Sequence, residues 1–164
     1  RSPGPARPVR SSVGIMDSIA WHAVLDLSLR YAEGIDRRDW DGFASCFLPE
    51  VRIDFSSFTH RPATPEAIPV AAWVAAVRST IDGFTATQHS ITNQRIAFDG
   101  DANGRYTAYI QAQHWADRDR WYLIGGWYEN EVRRTDDGWK LASVTLHQEW
   151  DTGDRGLLRE VNRR

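Results

Sequence analysis

Arg105-Tyr106-Thr107-Ala108-Tyr109-Ile110-Gln111-Ala112-Gln113-His114-Trp115-Ala116 is followed by the polar turn Asp117-Arg118-Asp119 and then by Trp121-Tyr122-Leu123-Ile124-Gly125-Gly126-Trp127-Tyr128-Glu129-Asn130-Glu131-Val132-Arg133-Arg134. The two long segments are rich in the aromatic and β-branched residues that suit strands, and a short polar turn divides them. Working outward, Thr87–Phe98 and Trp139–Gln148 have the same composition, set off by Asp99-Gly100-Asp101 and Asp136-Asp137-Gly138. Four long strands in succession with short turns read as an antiparallel meander. Gly125-Gly126 falls in the middle of one strand, where glycine permits a bulge or sharp bend, or else a tight strand–helix contact. A bent sheet with rings around the bend is expected to enclose a cavity.

The first half is helical. Asp17 or Ser18 is placed to cap a helix running to Glu33, with Gly34 as its stop and Ala20, Val24, Leu27 and Tyr31 on its buried face. Asp39 is placed to cap a short second helix carrying Trp40, Phe43 and Phe47 on one side and ended by Pro49. Val51–Phe58 reads as a strand, Arg61–Pro69 as a loop, and Val70–Ile81 as a third helix with Trp73, Val77 and Ile81 in register; that face reads as core packing. Leu157–Val161 reads as a short closing helix. Helices first and sheet later define an α+β fold rather than a βαβ winding. Residues 1–16, rich in Pro, Gly and Ser, read as a flexible tail, and residues 17–164 as a single domain.

Composition excludes several classes. The chain has 164 residues, 41% hydrophobic and 26% charged, with a formal charge of −2, so it is ordinary globular material without the basic balance of a nucleic-acid or anionic-membrane binder. Cys46 is the single cysteine, which rules out an internal disulfide framework and a cysteine-rich metal site. There is no apolar run long enough for a membrane span and no apolar signal core, making a cytoplasmic location the default. Eight tryptophans give the chain rings with which to line a cavity.

No phosphate loop, dinucleotide fingerprint or nucleophile elbow is present. The histidines are His22, His60, His89, His114 and His147, and none has the helical i, i+4 pairing of a zinc protease, so no metal is expected. His89 and His114 each fall in a segment that should be half buried, where a satisfied structural histidine is the plainer reading. Asp36 lies just after the first helix. Asp39 competes with it for the next cap, which leaves Asp36 free to point inward. A buried carboxylate bonded to an imidazole fixes its tautomer and favours the charged ring, which suits a proton shuttle. Spacing alone does not bring Asp36 to His89.

Tyr31-Ala32-Glu33-Gly34-Ile35-Asp36-Arg37-Arg38-Asp39-Trp40-Asp41, Val51-Arg52-Ile53-Asp54-Phe55-Ser56-Ser57-Phe58, Thr87-Gln88-His89 and Asp137-Gly138-Trp139-Lys140, with Trp150 beyond, resemble scytalone dehydratase and the wider SnoaL-like group of the nuclear transport factor 2 (NTF2-like) superfamily. The resemblance spans roughly residues 18–155. It implies a cone, a curved sheet wrapped around helices with the active site in its mouth. It also implies an Asp36–His89 catalytic dyad, His114 as a second active-site histidine, and Tyr31 as a pocket tyrosine. The departures are informative. Ile35 and Phe55 stand where scytalone dehydratase has two tyrosines holding a carbonyl-bound water, Tyr128 replaces its pocket asparagine, and Ala142–Thr145 lacks an arginine that other lyases of the group carry.

Together these features lead to the expectation of a cofactor-free lyase of dehydratase type acting on a small hydrophobic cyclic or polyketide-like substrate. Asp36 and His89 would move the proton, and Tyr31, His114, Phe55 and Tyr128 would contact substrate, with His114 able to polarise a carbonyl directly. An isomerase or cyclase would begin with the same proton transfer, and a non-catalytic ligand-binding or interaction module is the alternative from another class. The resemblance further implies a homotrimer, favoured over a dimer, with rings such as Trp115 or Trp127 on the outer face as anchors. Neither nucleic acid nor membrane is an expected partner.

Overall fold

The structure is a computed structural model that describes residues 15–64 and 66–161, so most of the expected N-terminal tail lies outside the described residues. The elements are α1 (Ile15–Asp36), α2 (Trp40–Ala44), β1 (Phe47–Asp54), α3 (Ser56–Thr59), β2 (Ile68–Pro69), α4 (Val70–Ile81), β3 (Ala86–Asp99), β4 (Asn103–Trp115), β5 (Trp121–Thr135), β6 (Gly138–Gly153) and α5 (Leu157–Val161). The six strands form one sheet in the order β2-β1-β6-β5-β4-β3. β3 to β6 pair antiparallel as a meander, and β1 joins the edge of β6 in parallel. Val24, Leu27 and Tyr31 of α1 are buried in one core with Tyr106, Ile110, Tyr122, Val132, Leu141 and Val144 of the sheet. Among the described residues no helix is long and apolar enough to cross a membrane.

Several local readings change. Gly34 does not stop α1, which continues to Asp36. A Cβ at Gly34 would lie 2.8 Å from Phe43 Cβ and 2.9 Å from Phe43 Cα, so this glycine is needed for the close approach of α2. The stop is Arg38, left-handed at φ 56°. It is held there by its guanidinium, which donates to the Phe84 carbonyl at 2.6 Å. Asp39 caps α2 as expected, accepting from the Gly42 N–H at 2.9 Å.

α2 is shorter than expected because Phe47 already belongs to β1. Pro49 lies inside that strand, where the β1–β6 register shifts between Phe47 and Arg52, so its missing N–H is tolerated at the irregularity. The strand then ends at Asp54, not Phe58. The Asp54 carboxylate accepts from the Ser56 N–H at 2.9 Å and turns the chain into α3. Two residues of the expected loop, Ile68 and Pro69, pair with the outer edge of β1.

The Gly125-Gly126 pair takes the bulge reading, and its tight contacts are with the neighbouring strand β6 rather than with a helix. The β5–β6 register shifts there, Gly125 facing Trp150 and Gly126 facing Gln148, which bulges β6 at Glu149. A Cβ on Gly125 would meet the Trp150 ring at 2.1 Å, and one on Gly126 the His147 carbonyl oxygen at 2.0 Å.

Candidate active site

The C-terminal turns of α1 aim Tyr31 and Ile35, one helical turn apart, into the concave side of the sheet. On β3, Thr87 and His89 share a face by the two-residue strand period. Thr87 pairs with His114 of β4 and His89 with Ala112, so the two imidazoles are diagonal neighbours on one face, their ring centroids 5.7 Å apart. Tyr31, Ile35 and the two imidazoles, with Phe55, Phe58, Trp73, Val77, Thr80, Ile81, Ala112, Ile124, Tyr128, Leu146 and Leu158, line a cavity of about 110 Å³. Arg155 braces its rim. Its guanidinium lies 5.4 Å over the Phe58 ring, donates to the Phe58 carbonyl, and donates to the Tyr122 hydroxyl at 2.8 Å and to Asp151 at 2.9 Å.

Asp36 and His89, 53 residues apart, meet at this cavity. His89 Nδ1 lies 2.7 Å from Asp36 Oδ1, and both side chains are largely buried. Two further donors reach the carboxylate: the His89 backbone N–H at 2.7 Å to Oδ2 and the Thr87 hydroxyl at 2.9 Å to Oδ1. Burial acts to raise the Asp36 carboxyl, but the His89 ring, its charge, the backbone N–H and Thr87 outweigh it, and the pKa falls below the ordinary value. An ionised Asp36 needs a proton on His89 Nδ1, which leaves Nε2 as the lone pair of the neutral ring.

His114 has the opposite character. Burial, then the charge of His89, pushes its pKa down to about 4. Its Nδ1 lies 3.3 Å from the Tyr122 carbonyl oxygen, which can only accept, so the proton sits on Nδ1 and Nε2 is an acceptor. His114 can therefore bind a substrate hydroxyl, and in this state it has no proton with which to polarise a carbonyl, as the sequence reading had it do. Two phenols, Tyr31 and Tyr128, also line the cavity and share a hydrogen bond in which either hydroxyl can be the donor. Burial raises Tyr31 well above the ordinary phenol value and Tyr128 to about 12, so both stay protonated at neutral pH. Phe55 is an apolar wall, edge-on to Trp73 at 5.1 Å and 6.5 Å from the Tyr128 ring.

The other histidines lie elsewhere. His22 is exposed on α1, His60 ends α3 at φ 55°, and His147 stacks on Trp127 at 3.9 Å. Among the described residues no group of three or more His, Cys, Asp or Glu is gathered as a metal ion would require. A larger open groove, about 560 Å³, runs past Phe98, Asp99, Arg105, Glu131 and Arg133 but contains neither imidazole. Sequence reading missed Thr87 and Trp73. The strand period alone could have found Thr87, two residues before His89, whereas Trp73 was absorbed into the apolar face of α4.

The model of the SnoaL-like domain matches residues 18–145, and the chain belongs to that family within the NTF2-like fold. It is 27% identical over 138 residues to the scytalone dehydratase of Colletotrichum orbiculare, covering 76% of this chain and 70% of that protein. A crystal structure of a Kribbella flavida protein superposes with a TM-score of 0.80 at 29% identity, covering 87% of this chain and 99% of the other. A hexachlorocyclohexane dehydrochlorinase from Novosphingobium barchaimii shares the fold at 16% identity with a TM-score of 0.71, covering 87% and 94% of the two chains. Family and fold thus support a lyase-type or related small-molecule role.

Proposed function

We propose that the chain is a cofactor-free, dehydratase-type lyase acting on a small hydrophobic ring ketone that carries a β-hydroxyl. The observation that carries this reading is the 2.7 Å contact between His89 Nδ1 and Asp36 Oδ1 at the wall of an apolar cavity. His89 Nε2 takes the proton from the carbon beside the carbonyl, Asp36 stabilises the imidazolium, and Tyr128 donates to the carbonyl oxygen as charge develops on it. The hydroxyl then leaves with the proton returned by His89, so that a C–H and a C–O bond break, a C=C bond forms and water departs. His114 accepts from a substrate hydroxyl, and Phe55 presses on the ring. Tyr31 acts through Tyr128.

The same proton abstraction would begin an isomerisation or cyclisation, which product analysis separates. The test is turnover of a panel of cyclic β-hydroxy ketones by the wild type and by His89→Ala. Loss of about a hundredfold or more in kcat with an unchanged thermal midpoint is expected. Ligand binding with no turnover of any panel member by the wild type would instead make this a binding module.

For assembly, the homotrimer remains part of the proposal, with a different choice of anchors. Trp115 pairs with Trp121 at 5.9 Å and Trp127 stacks on His147, leaving Tyr109, 61% exposed, and Trp150, 44% exposed, as the freer rings of the outer face.

A further inference from the structure

Among the described residues three buried polar side-chain atoms have no hydrogen-bond partner: Trp73 Nε1, Asn130 Oδ1 and Gln148 Oε1. Of the residues that carry them, Trp73 alone lines the cavity. Asn130 is partly served, because its side chain hydrogen-bonds the Tyr106 hydroxyl. The indole of Trp73 has no such relief. It is a donor only, it cannot flip as an amide can, and it is 9% exposed. An unpaired donor in an apolar wall is costly, and a phenylalanine would cover the same face of α4 without that cost. The position of the ring adds a second argument. Trp73 meets Phe55 edge-on at 5.1 Å, and Phe55 reaches Tyr128 at 6.5 Å, so one continuous wall of the cavity that the two imidazoles line carries both the Trp73 indole ring and the Tyr128 phenol ring.

We infer that Trp73 is a substrate-binding residue whose indole N–H donates to an oxygen of the ring held in this cavity, supplying from α4 a donor that neither Phe55 nor Ile35 can provide. The inference rests on the reading of the cavity as a ring-ketone site. Two halves of the molecule then divide the work: β3 and α1 carry the proton-moving pair, while α4 and β5 carry the donors that grip oxygen.

The probe is cyclohexanone, with methylenecyclohexane as a control of the same shape lacking the oxygen. Both are titrated into the full chain isotope-labelled on its tryptophans, which number eight. The indole resonance absent from Trp73→Phe should move downfield with cyclohexanone and stay in place with the control. In Trp73→Phe the affinity for cyclohexanone should fall about tenfold, and for the control by less than about twofold. If that variant proves unfolded by its thermal midpoint, the Trp73 indole resonance is assigned on the wild type by through-space contacts to the ring protons of Phe55 and decides alone. A Trp73 resonance that stays put while cyclohexanone binds overturns the inference and leaves the acid–base reading standing. Equal weakening of both probes assigns Trp73 to packing and also overturns it. Failure of cyclohexanone to bind at millimolar concentration overturns the ring-ketone site itself, whereas turnover lost in His89→Ala bears only on the dyad.

Discussion

His114 titrates at about 4 in the folded chain, against an ordinary 6.5, because burial and the charge of His89 both oppose its protonation. The unfolded chain takes up this proton as pH falls through 6.5 while the folded chain refuses it until about 4. A depressed folded value means that the contribution to stability is complete above the unfolded pKa and is lost as pH falls toward the folded one. At about pH 4.5 the unfolded state has gained some two pH units of proton binding, and at 1.36 kcal/mol per unit the loss is about 3 kcal/mol. For a chain of this length that lowers the thermal midpoint by about 8 °C. Asp36 stays out of this window, since its own pKa lies below 3.8. The assay is denaturant or thermal unfolding at about pH 7.5 and about pH 4.5 for the wild type and for His114→Phe. The variant starts less stable because the Tyr122 carbonyl loses its ring donor, so the readout is the difference between the two pH values, not the absolute stability. The wild type should lose about 3 kcal/mol more than His114→Phe across the interval. Equal losses would refute the argument, showing that the His114 ring is hydrated or paired when charged in the folded state.

Thr87→Val removes one of the three donors on Asp36, and because Thr87 contributes least among them, kcat should fall only about fivefold, with the acid limb of its pH profile displaced; Thr87→Ser should restore both. Scytalone should turn over slowly, because Ile35 and Phe55 donate nothing and each missing preorganised donor costs about 3 kcal/mol. Turnover of scytalone as fast as that of a one-ring β-hydroxy ketone would contradict this. Light scattering should give a trimer that dissociates in the Tyr109→Lys, Trp150→Lys double variant, and a wild-type monomer would refute the proposed outer-face contact.

Much of the fold was legible because it is written in local periodicity. Strand composition and the polar turns between segments located β3, β4 and β5 to within two residues, and the 3.6-residue period gave α4 from Val70 to Ile81. The Asp39 cap follows from a side-chain bond three residues long. Residue type and resemblance also singled out Asp36, His89, His114, Tyr31, Phe55 and Tyr128; the last five line one cavity, and Asp36 is bonded to His89 behind its wall.

What remained was decided by contacts between residues distant in the chain. The parallel docking of β1 on β6 overrides Pro49, since pairing with a strand some ninety residues away absorbs the irregularity in its register shift. Gly34, locally a helix stop, is a helical residue because Phe43 occupies the space a side chain would need. The hydrogen-bonding character of the site is likewise tertiary. His114 Nε2 is an acceptor because its Nδ1–H faces a carbonyl on the next strand, the Tyr31 and Tyr128 hydroxyls are paired with each other, and Trp73 is an unpaired donor because the surrounding wall is apolar. Sequence determines which groups a strand or helix can present. Whether a group donates, accepts or goes unpaired depends on its neighbours, and those are known only once the sheet has closed around them.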